Sequence, residues 1–346
     1  MLTPAEAADQ VRAIPGRRVK FSNLEKVFFP ATETHGPLAK AHLVLYYHAL
    51  RDRVLPYLRD RPLVMRRYPN GITGDWFYTK DWPERERFPE FAERVAVYSE
   101  TREERMHYVV ANSADALLWL PQLGCIDFHP WLSKLGEDWA SCGTEQGLAE
   151  PACGLDYPDQ LVLDIDPYLR AGRVGRKGTE AGGEPGLDPE DWAAAVRVAH
   201  LTRELLDDLG LASYLKTSGK RGLHLYVPLE QQYTYEQVRA FAKGLGARLV
   251  RRHYDLLTLK YDLKARAGKV FFDYNQNVRG KTLAAPFCLR PTPEATVSMP
   301  IDWSDLDRVR PEQFTVLNVP QLVEAHGDPW GGLREAQHLP QLPATP

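Results

Sequence analysis

Asp164 and Asp166 lie two residues apart in the run Leu161-Val162-Leu163-Asp164-Ile165-Asp166-Pro167. The apolar flanks predict a strand, in which residues two apart share a face. Leu161, Leu163 and Ile165 then enter a core while the two carboxylates project together. Carboxylates held side by side repel each other unless positive charge lies between them, and Mg²⁺ or Mn²⁺ takes oxygen ligands of this kind. Pro167 cannot donate to a sheet ladder, which puts the pair at the strand's rim. A third carboxylate, Asp273, closes the apolar run Lys269-Val270-Phe271-Phe272-Asp273 and is followed by Tyr274-Asn275-Gln276-Asn277. Brought beside the first two, it completes a site for two metal ions. Such a site activates a hydroxyl, neutralises a leaving pyrophosphate and orients an in-line attack. Read singly, the pair is also compatible with water or arginine partners, and a lone strand-end aspartate with a turn.

A second pattern is Lys216-Thr217-Ser218-Gly219-Lys220-Arg221-Gly222-Leu223-His224-Leu225-Tyr226. A short polar turn separates two apolar strands. Gly219 and Gly222 let the backbone come close to a ligand, Lys220 and Arg221 add charge, and the Ser218 hydroxyl can donate. His224 faces away from Leu223 and Leu225. The turn suits a polyphosphate, although it is not a Walker A loop because GxxxxGK[ST] is absent. A hairpin with solvent-facing cations is the plainer alternative.

Helices and strands must position these groups. Apolar spacing predicts helices over Ala39–Leu58, with Pro56 kinking or ending the first, over Pro189–Leu209, capped by Asp188 and stopped by Gly210, and over Tyr235–Arg252. Strands are predicted at Leu63–Arg67, Gln160–Asp166, Tyr214–Thr217, His224–Pro228 and Lys269–Asp273. The order after Gln160 is strand, helix, strand, strand, helix, strand, which gives an α+β or mixed α/β core. The segment Leu169 to Gly186, rich in Gly and Arg, reads as a mobile loop. Residues 1–150 read as an N-terminal accessory subdomain continuous with a catalytic core over 151–335, and 336–346 as a disordered tail.

The composition fits a soluble globular protein: 346 residues, 44% hydrophobic and 26% charged. No apolar run is long enough for a bilayer, and the first 16 residues lack the apolar stretch of a signal peptide. Cys125, Cys142, Cys153 and Cys288 form no CxxC pair, which argues against structural zinc and for a reduced, cytoplasmic setting. The net charge of −3 does not by itself suggest a nucleic-acid binder. Its distribution does allow one, since basic residues gather at 17–40, 51–67 and 264–290.

Together the aspartates, the Ser218–His224 turn and Asp273 resemble the catalytic motifs of the archaeo-eukaryotic primase superfamily. The nearer likeness is to the polymerase domain of bacterial LigD proteins of non-homologous end joining. Asn23-Leu24-Glu25-Lys26-Val27-Phe28-Phe29-Pro30, Arg66-Arg67-Tyr68-Pro69-Asn70-Gly71, Lys281-Thr282 through Leu289-Arg290, and Phe314-Thr315-Val316 to Asp328-Pro329-Trp330 share it, so that it covers about Leu2 to Trp330. The resemblance implies an α+β primase-polymerase core of mixed and antiparallel sheets flanked by helices. It implies Asp164, Asp166 and Asp273 as holders of two divalent ions, Mn²⁺ or Mg²⁺. His129, Ser218, Lys220 or Arg221, and His224 would hold the nucleotide, with Lys281 and Arg290 on phosphates or template. Asn23, Lys26 and Lys40 would hold the 5′-phosphate at a gap, Phe77 and Tyr78 would stack on template, and Arg266 would handle a protruding strand.

The activity implied is templated nucleotide addition at DNA breaks and short gaps, with ribonucleotides preferred. The implied partners are gapped or broken DNA, NTP or dNTP, a Ku-type end binder and a separate DNA ligase, in the nucleoid and away from membranes. No KxDG-type ligase motif is found, so a polymerase module standing alone is expected. Two other readings use the same residues. A bridging module would bind ends without turnover, but gains nothing from three carboxylates near DNA. A metal-dependent phosphodiesterase would use water as nucleophile, but needs no triphosphate cradle.

Overall fold

The computed structural model describes residues 1–83, 86–99, 102–136, 154–167, 187–331 and 335–342. The expected loop over 169–186 and the cysteines Cys142 and Cys153 lie outside these residues. The apolar and alternating runs form two sheets and two short ribbons. One ribbon pairs β1 (Val27–Phe29) with β2 (Leu38–Ala39). The first sheet is built around β3 (Pro62–Arg67), which pairs with β4 (Phe77–Thr79), β6 (Glu104–Val110) and β7 (Cys125–Pro130), while β5 (Glu93–Ser99) pairs with β6. The second sheet has the order β11 (Leu257–Thr258), β12 (Val270–Asp273), β8 (Gln160–Asp166), β10 (Leu223–Pro228), β9 (Tyr214–Thr217), β15 (Pro300–Ile301). Only its β11–β12 pair is parallel, so the sheet is mixed. The second ribbon pairs β13 (Cys288–Leu289) with β14 (Val297–Ser298).

Helices α1 (Pro4–Ala13), α2 (Lys40–Leu58), α3 (Ala114–Gln122), α4 (Pro189–Asp208), α5 (Tyr235–Arg252) and α6 (Val319–His326) flank the sheets. The α4 start follows its sequence: the Asp188 carboxylate accepts from Glu190 N at 2.8 Å and Pro189 opens the first turn. Trp192, Val196, Ala199 and Leu205 are buried along one stripe, as the periodicity predicts. In α5, Thr234 and Gln237 form a capping box and bury Val238, Phe241, Leu245 and Leu249. Pro56 lies inside α2, which continues to Leu58 rather than ending there.

One apolar core runs from Ala7 to Trp330 and spans both sheets. A smaller one, with Val95, Val97, Met106 and Tyr108, lies under the β5–β6 hairpin. Where a free tail is expected from residue 336, the described residues through 342 lie on the body. Gln337 bridges to Leu229 and donates to Ala212 O at 2.9 Å, and Leu342 packs against Gly244. Among the described residues no helix is long and apolar enough to cross a membrane.

Candidate active site

The register of the second sheet sets one row of polar side chains across four strands. Asp273 of β12 stands opposite Asp164 of β8, Asp164 opposite His224 of β10, and His224 opposite Lys216 of β9. Directly opposed residues in antiparallel strands share a face, so these four project together. Asp166 joins them from two residues along β8, beside Gly222. A side chain at Gly222 would meet Ile165 O at 2.7 Å and Asp166 Oδ1 at 3.0 Å, which is why the turn can approach the strand end only with glycine there. The three aspartates expected to act together are thus brought onto one face.

The electrostatics of this row are those of crowded negative charge. Burial, then Asp166 and Asp273, push the Asp164 carboxyl well above the carboxylate range. Burial and then Asp273 raise Asp166 to about 6, against the pull of Arg266 and Arg221. Asp273 is raised by burial, with Asn275 N–H, Lys281 and Arg266 acting the other way. Gln276 donates its amide to Asp164 Oδ2 at 3.3 Å and to Asp273 Oδ2 at 3.1 Å. Asp164 Oδ1 is buried with no hydrogen-bond partner among the described residues. Buried, repelling oxygens with spare acceptor capacity fit a divalent cation. No three His, Cys, Asp or Glu side chains among the described residues are already drawn together as a ligand set. The Gln276 amide bridges two of the three carboxylates and supplies the partial positive charge between them.

On the other side of Asp164 the row carries nitrogen groups, and burial, then Arg290, hold Lys216 well below the usual lysine value. Lys216 is fully buried, its Nζ lying 2.8 Å from His224 Nδ1 and hydrogen-bonded to Ser298 Oγ. Burial, then Lys216 and Arg290, hold His224 well below its usual value and therefore neutral. Nδ1 then accepts from Lys216 and the ring proton sits on Nε2, which lies 3.5 Å from Asp164 Oδ1. Within the turn, Ser218 Oγ accepts from Lys220 N at 3.2 Å and Gly222 N at 3.0 Å, and its own proton meets no acceptor among the described residues. Gly219, at φ +70°, lies so close to β14 that a Cβ would meet Val297 C at 2.7 Å and Arg290 Cγ at 2.6 Å. The turn therefore carries Arg290 into the same pocket. Of the two basic turn residues, Arg221 is the one whose charge acts on Asp166.

His129 reaches the pocket from the first sheet, on β7. Its Nε2 lies 3.3 Å from the fully buried Asp127, which is also 3.6 Å from Arg290 Nη1 and 4.0 Å from Arg66 Nη1. Burial pushes the Asp127 carboxyl up, but His129, Arg290 and Arg66 outweigh it and hold the group low. Arg290 Nε and Nη1 are buried without a hydrogen-bond partner among the described residues. Lys281 is exposed, and Arg266 stacks on Phe271, 3.4 Å from its centroid, beside Asp166.

The remaining expected residues form two further groups. The β1–β2 ribbon sets Val27 opposite Ala39 and so brings Lys26 and Lys40 together, with Asn23 at φ 51° and exposed beside them. Lys26 Nζ donates to Asn70 Oδ1 at 2.7 Å, and Lys40 Nζ to Ser22 O at 3.1 Å and Gln122 O at 3.2 Å. Burial and then Lys26 lower Lys40 to about 8. Two neighbouring lysines of this kind concentrate positive charge at the ribbon. Phe77 and Tyr78, 45% and 50% exposed on β4, stand over Arg67 and Arg66 with Trp76 beside them. They border a cleft of about 780 Å³ that Arg67, Tyr98, Tyr108, Trp131 and Arg279 also line.

Sequence reasoning missed Asp127, Arg66, Lys216, Gln276 and Asn70 as parts of these groups. Lys216, Gln276, Arg66 and Asn70 stand inside runs singled out in the sequence, but only the fold shows where they point. Asn277, grouped with Gln276 in the sequence, is structural: it clasps Val162 N and Val162 O.

Known proteins share this arrangement of chain. The family model for the LigD primase-polymerase domain matches residues 39–177 and 185–330. The multifunctional non-homologous end joining protein LigD of Pseudomonas aeruginosa is 28% identical over 90% of this chain and 32% of that protein. The multifunctional non-homologous end joining DNA repair protein LigD of Mycobacterium tuberculosis is 30% identical over 90% of this chain and 36% of that protein. The chain thus spans about a third of the length of these curated relatives. A solved structure of the polymerase domain of Mycobacterium tuberculosis ligase D in complex with DNA superposes with a TM-score of 0.74 at 29% identity, covering 91% of this chain and 97% of that one.

Proposed function

The chain belongs to the LigD primase-polymerase domain family, and from that premise we propose that it is a template-directed nucleotidyltransferase. It would fill short gaps and extend ends of broken DNA in non-homologous end joining. The observation that carries the reading is the row Asp273–Asp164–His224–Lys216, with Asp166 and the Ser218 turn beside it. Carboxylates for cations and donors for a triphosphate meet on one sheet face, as a polymerase needs and a bridging protein does not.

In this reading Asp164, Asp166 and Asp273 hold two divalent ions, Mn²⁺ or Mg²⁺. Bound there, the ions would lower the pKa of a primer 3′-hydroxyl and offset the charge of the departing pyrophosphate. The chain's own groups do the rest. The Ser218 hydroxyl and the Nε2–H of His224 donate to phosphate oxygens, and Lys216 fixes the tautomer that makes this possible. Arg290, with two buried nitrogens unspent, and Arg221, Lys220 and Lys281 answer the triphosphate charge. His129 lies in the same pocket. Asn23, Lys26 and Lys40 take the 5′-phosphate across a gap, and Phe77 and Tyr78 stack on template bases, each worth about 1–3 kcal/mol whatever the sequence. Arg266 guides a protruding strand past Asp166. A Ku-type end binder and a ligase would act with it, and ribonucleotides would be the preferred substrates.

Primer extension on a gapped duplex with a downstream 5′-phosphate tests this, comparing NTPs and dNTPs in Mg²⁺ and Mn²⁺. Templated addition, stronger with NTPs and lost on chelation, is expected. Tight binding without addition would leave a bridging module, and a shortened primer would leave a phosphodiesterase.

A further inference from the structure

Asp127 takes no part in the roles assigned above, yet it is a wholly buried carboxylate at the centre of the cationic pocket. Burying an ionised carboxylate costs several kcal/mol unless its surroundings offset it. What surrounds it here comes from two different places. His129 and Arg290 belong to the nucleotide pocket, and their nearest nitrogens lie 3.3 and 3.6 Å from Asp127 Oδ2. Arg66 belongs to β3, directly opposite Asp127 in the sheet, and its Nη1 lies 4.0 Å away. The Arg66 guanidinium also lies 3.8 Å from the Trp76 ring centroid, 5.3 Å from that of Tyr68 and 6.0 Å from that of Tyr78. Trp76 and Tyr78 are in turn edge to face at 5.4 Å. One carboxylate therefore touches, through single side chains, the groups that face the triphosphate and the aromatic shelf that faces the template.

The distances matter as much as the connections. A saturated charge-assisted bond is about 2.7–2.9 Å long. The contact to Arg290 is longer, so Asp127 orients that guanidinium group without using up its donors. Asp127 Oδ1 likewise makes no hydrogen bond among the described residues. Such a carboxylate balances the cations before the anion arrives, and can yield when phosphate oxygens compete for them.

We propose that Asp127 is a positioning residue that ties the nucleotide pocket (His129, Arg290) to the template shelf (Arg66, Trp76, Tyr78), so that nucleotide binding and seating of the templating base depend on each other. The inference rests on the polymerase reading. Steady-state addition on the gapped, 5′-phosphorylated duplex tests it, with Asp127→Asn, Trp76→Ala and the double variant. Asp127→Asn keeps the shape and removes the charge. It is expected to raise the nucleotide KM roughly tenfold or more, with a much smaller change in kcat, and to lower the ratio of matched to mismatched addition. The preference for a 5′-phosphorylated over an unphosphorylated gap, set by the separate Asn23–Lys26–Lys40 group, stays as in the unaltered protein, a pattern that general loss of structure does not give.

Trp76→Ala, at a ring that is 37% exposed, keeps the test open should Asp127→Asn fail to fold. Trp76 belongs to the template shelf, against Arg66, Tyr68 and Tyr78, and not to the nucleotide pocket. It is nevertheless expected to raise the nucleotide KM, and to add less than its full effect in the Asp127→Asn background. Unaltered nucleotide KM in either folded single variant, or full additivity of the two, overturns the inference alone. Absence of addition by the unaltered protein would remove the polymerase reading and this inference with it.

Discussion

At the scale of single residues the site is a balance of buried charges, and each charge predicts its own loss. Asp164 has Asp273 and His224 opposite it in the sheet and a buried oxygen that makes no hydrogen bond among the described residues. Asp164→Ala should abolish nucleotide addition and leave binding to 5′-phosphorylated gapped DNA intact, because the Asn23–Lys26–Lys40 group is held by a separate ribbon. Gel-shift and extension assays on one preparation check this, and equal loss of both would contradict two separate sites. Lys40 carries the pH dependence. Burial and then Lys26 bring it down to about 8, so it is charged below that value and neutral above. A neutral amine no longer attracts a phosphate dianion. The preference for a 5′-phosphorylated over an unphosphorylated gap should therefore be larger at pH 7.5 than at pH 9.5, measured at constant salt. In the free protein the sign for stability is opposite. A charged lysine held there costs stability below about 8, and the cost fades as pH rises toward the ordinary 10.5.

At the scale of elements, the parts whose pattern is local were legible and those set by register were not. The spacing of Trp192, Val196, Ala199 and Leu205 and the Asp188 cap give α4 to within a residue. The apolar run before Asp164 gives β8 outright. The β5–β6 hairpin was missed because Val95-Ala96-Val97 gives no clean polar alternation and its apolar face is closed by Trp131, Leu135 and Leu155, distant in sequence. Asp127 was missed for the same reason: its meaning lies in Arg66 opposite it on another strand. The glycines of the Ser218 turn were read as allowing close approach to a ligand; in the structure they pack against β14 and the end of β8, and the first makes this packing testable. At φ +70°, with β14 backbone 2.7–2.8 Å from where a Cβ would be, Gly219→Ala must move either the turn or Arg290. It should cost roughly 1–3 kcal/mol of stability from backbone strain alone. Nucleotide affinity should fall with it while 5′-phosphate recognition does not. Denaturant melts and nucleotide titrations read the two effects separately.

At the scale of the whole molecule, the two sheets share one core, so events at the carboxylates should be felt throughout. Arg61 at the start of β3 makes a bidentate pair with Asp159 just before β8, at 2.7 and 2.6 Å, both largely buried. Tyr46 and Tyr47 of α2 hydrogen-bond Phe287 O and Leu289 N beside β13. A boundary at residue 150 crosses this shared core, and heating should therefore give a single transition rather than two. The metal-free protein holds three mutually repelling carboxylates at one sheet face, a cost borne by the folded state and not by the unfolded chain, where they separate. A divalent ion binding the folded form alone stabilises it by about 2.7 kcal/mol at a hundred times its dissociation constant. For a chain of this size each kcal/mol is worth roughly 2–4 °C. Mn²⁺ should thus move the one transition upward by several degrees, and a chelator should return it. Asp164→Asn removes, without changing shape, the carboxyl whose ionisation burial and its neighbours oppose, so its chelated form should melt at or above the unaltered protein and respond weakly to Mn²⁺. Differential scanning calorimetry of both proteins decides the matter: an equal Mn²⁺ response in the variant would mean that the ion binds elsewhere, and a lower chelated Tm would mean that Asp164 stabilises the fold rather than straining it.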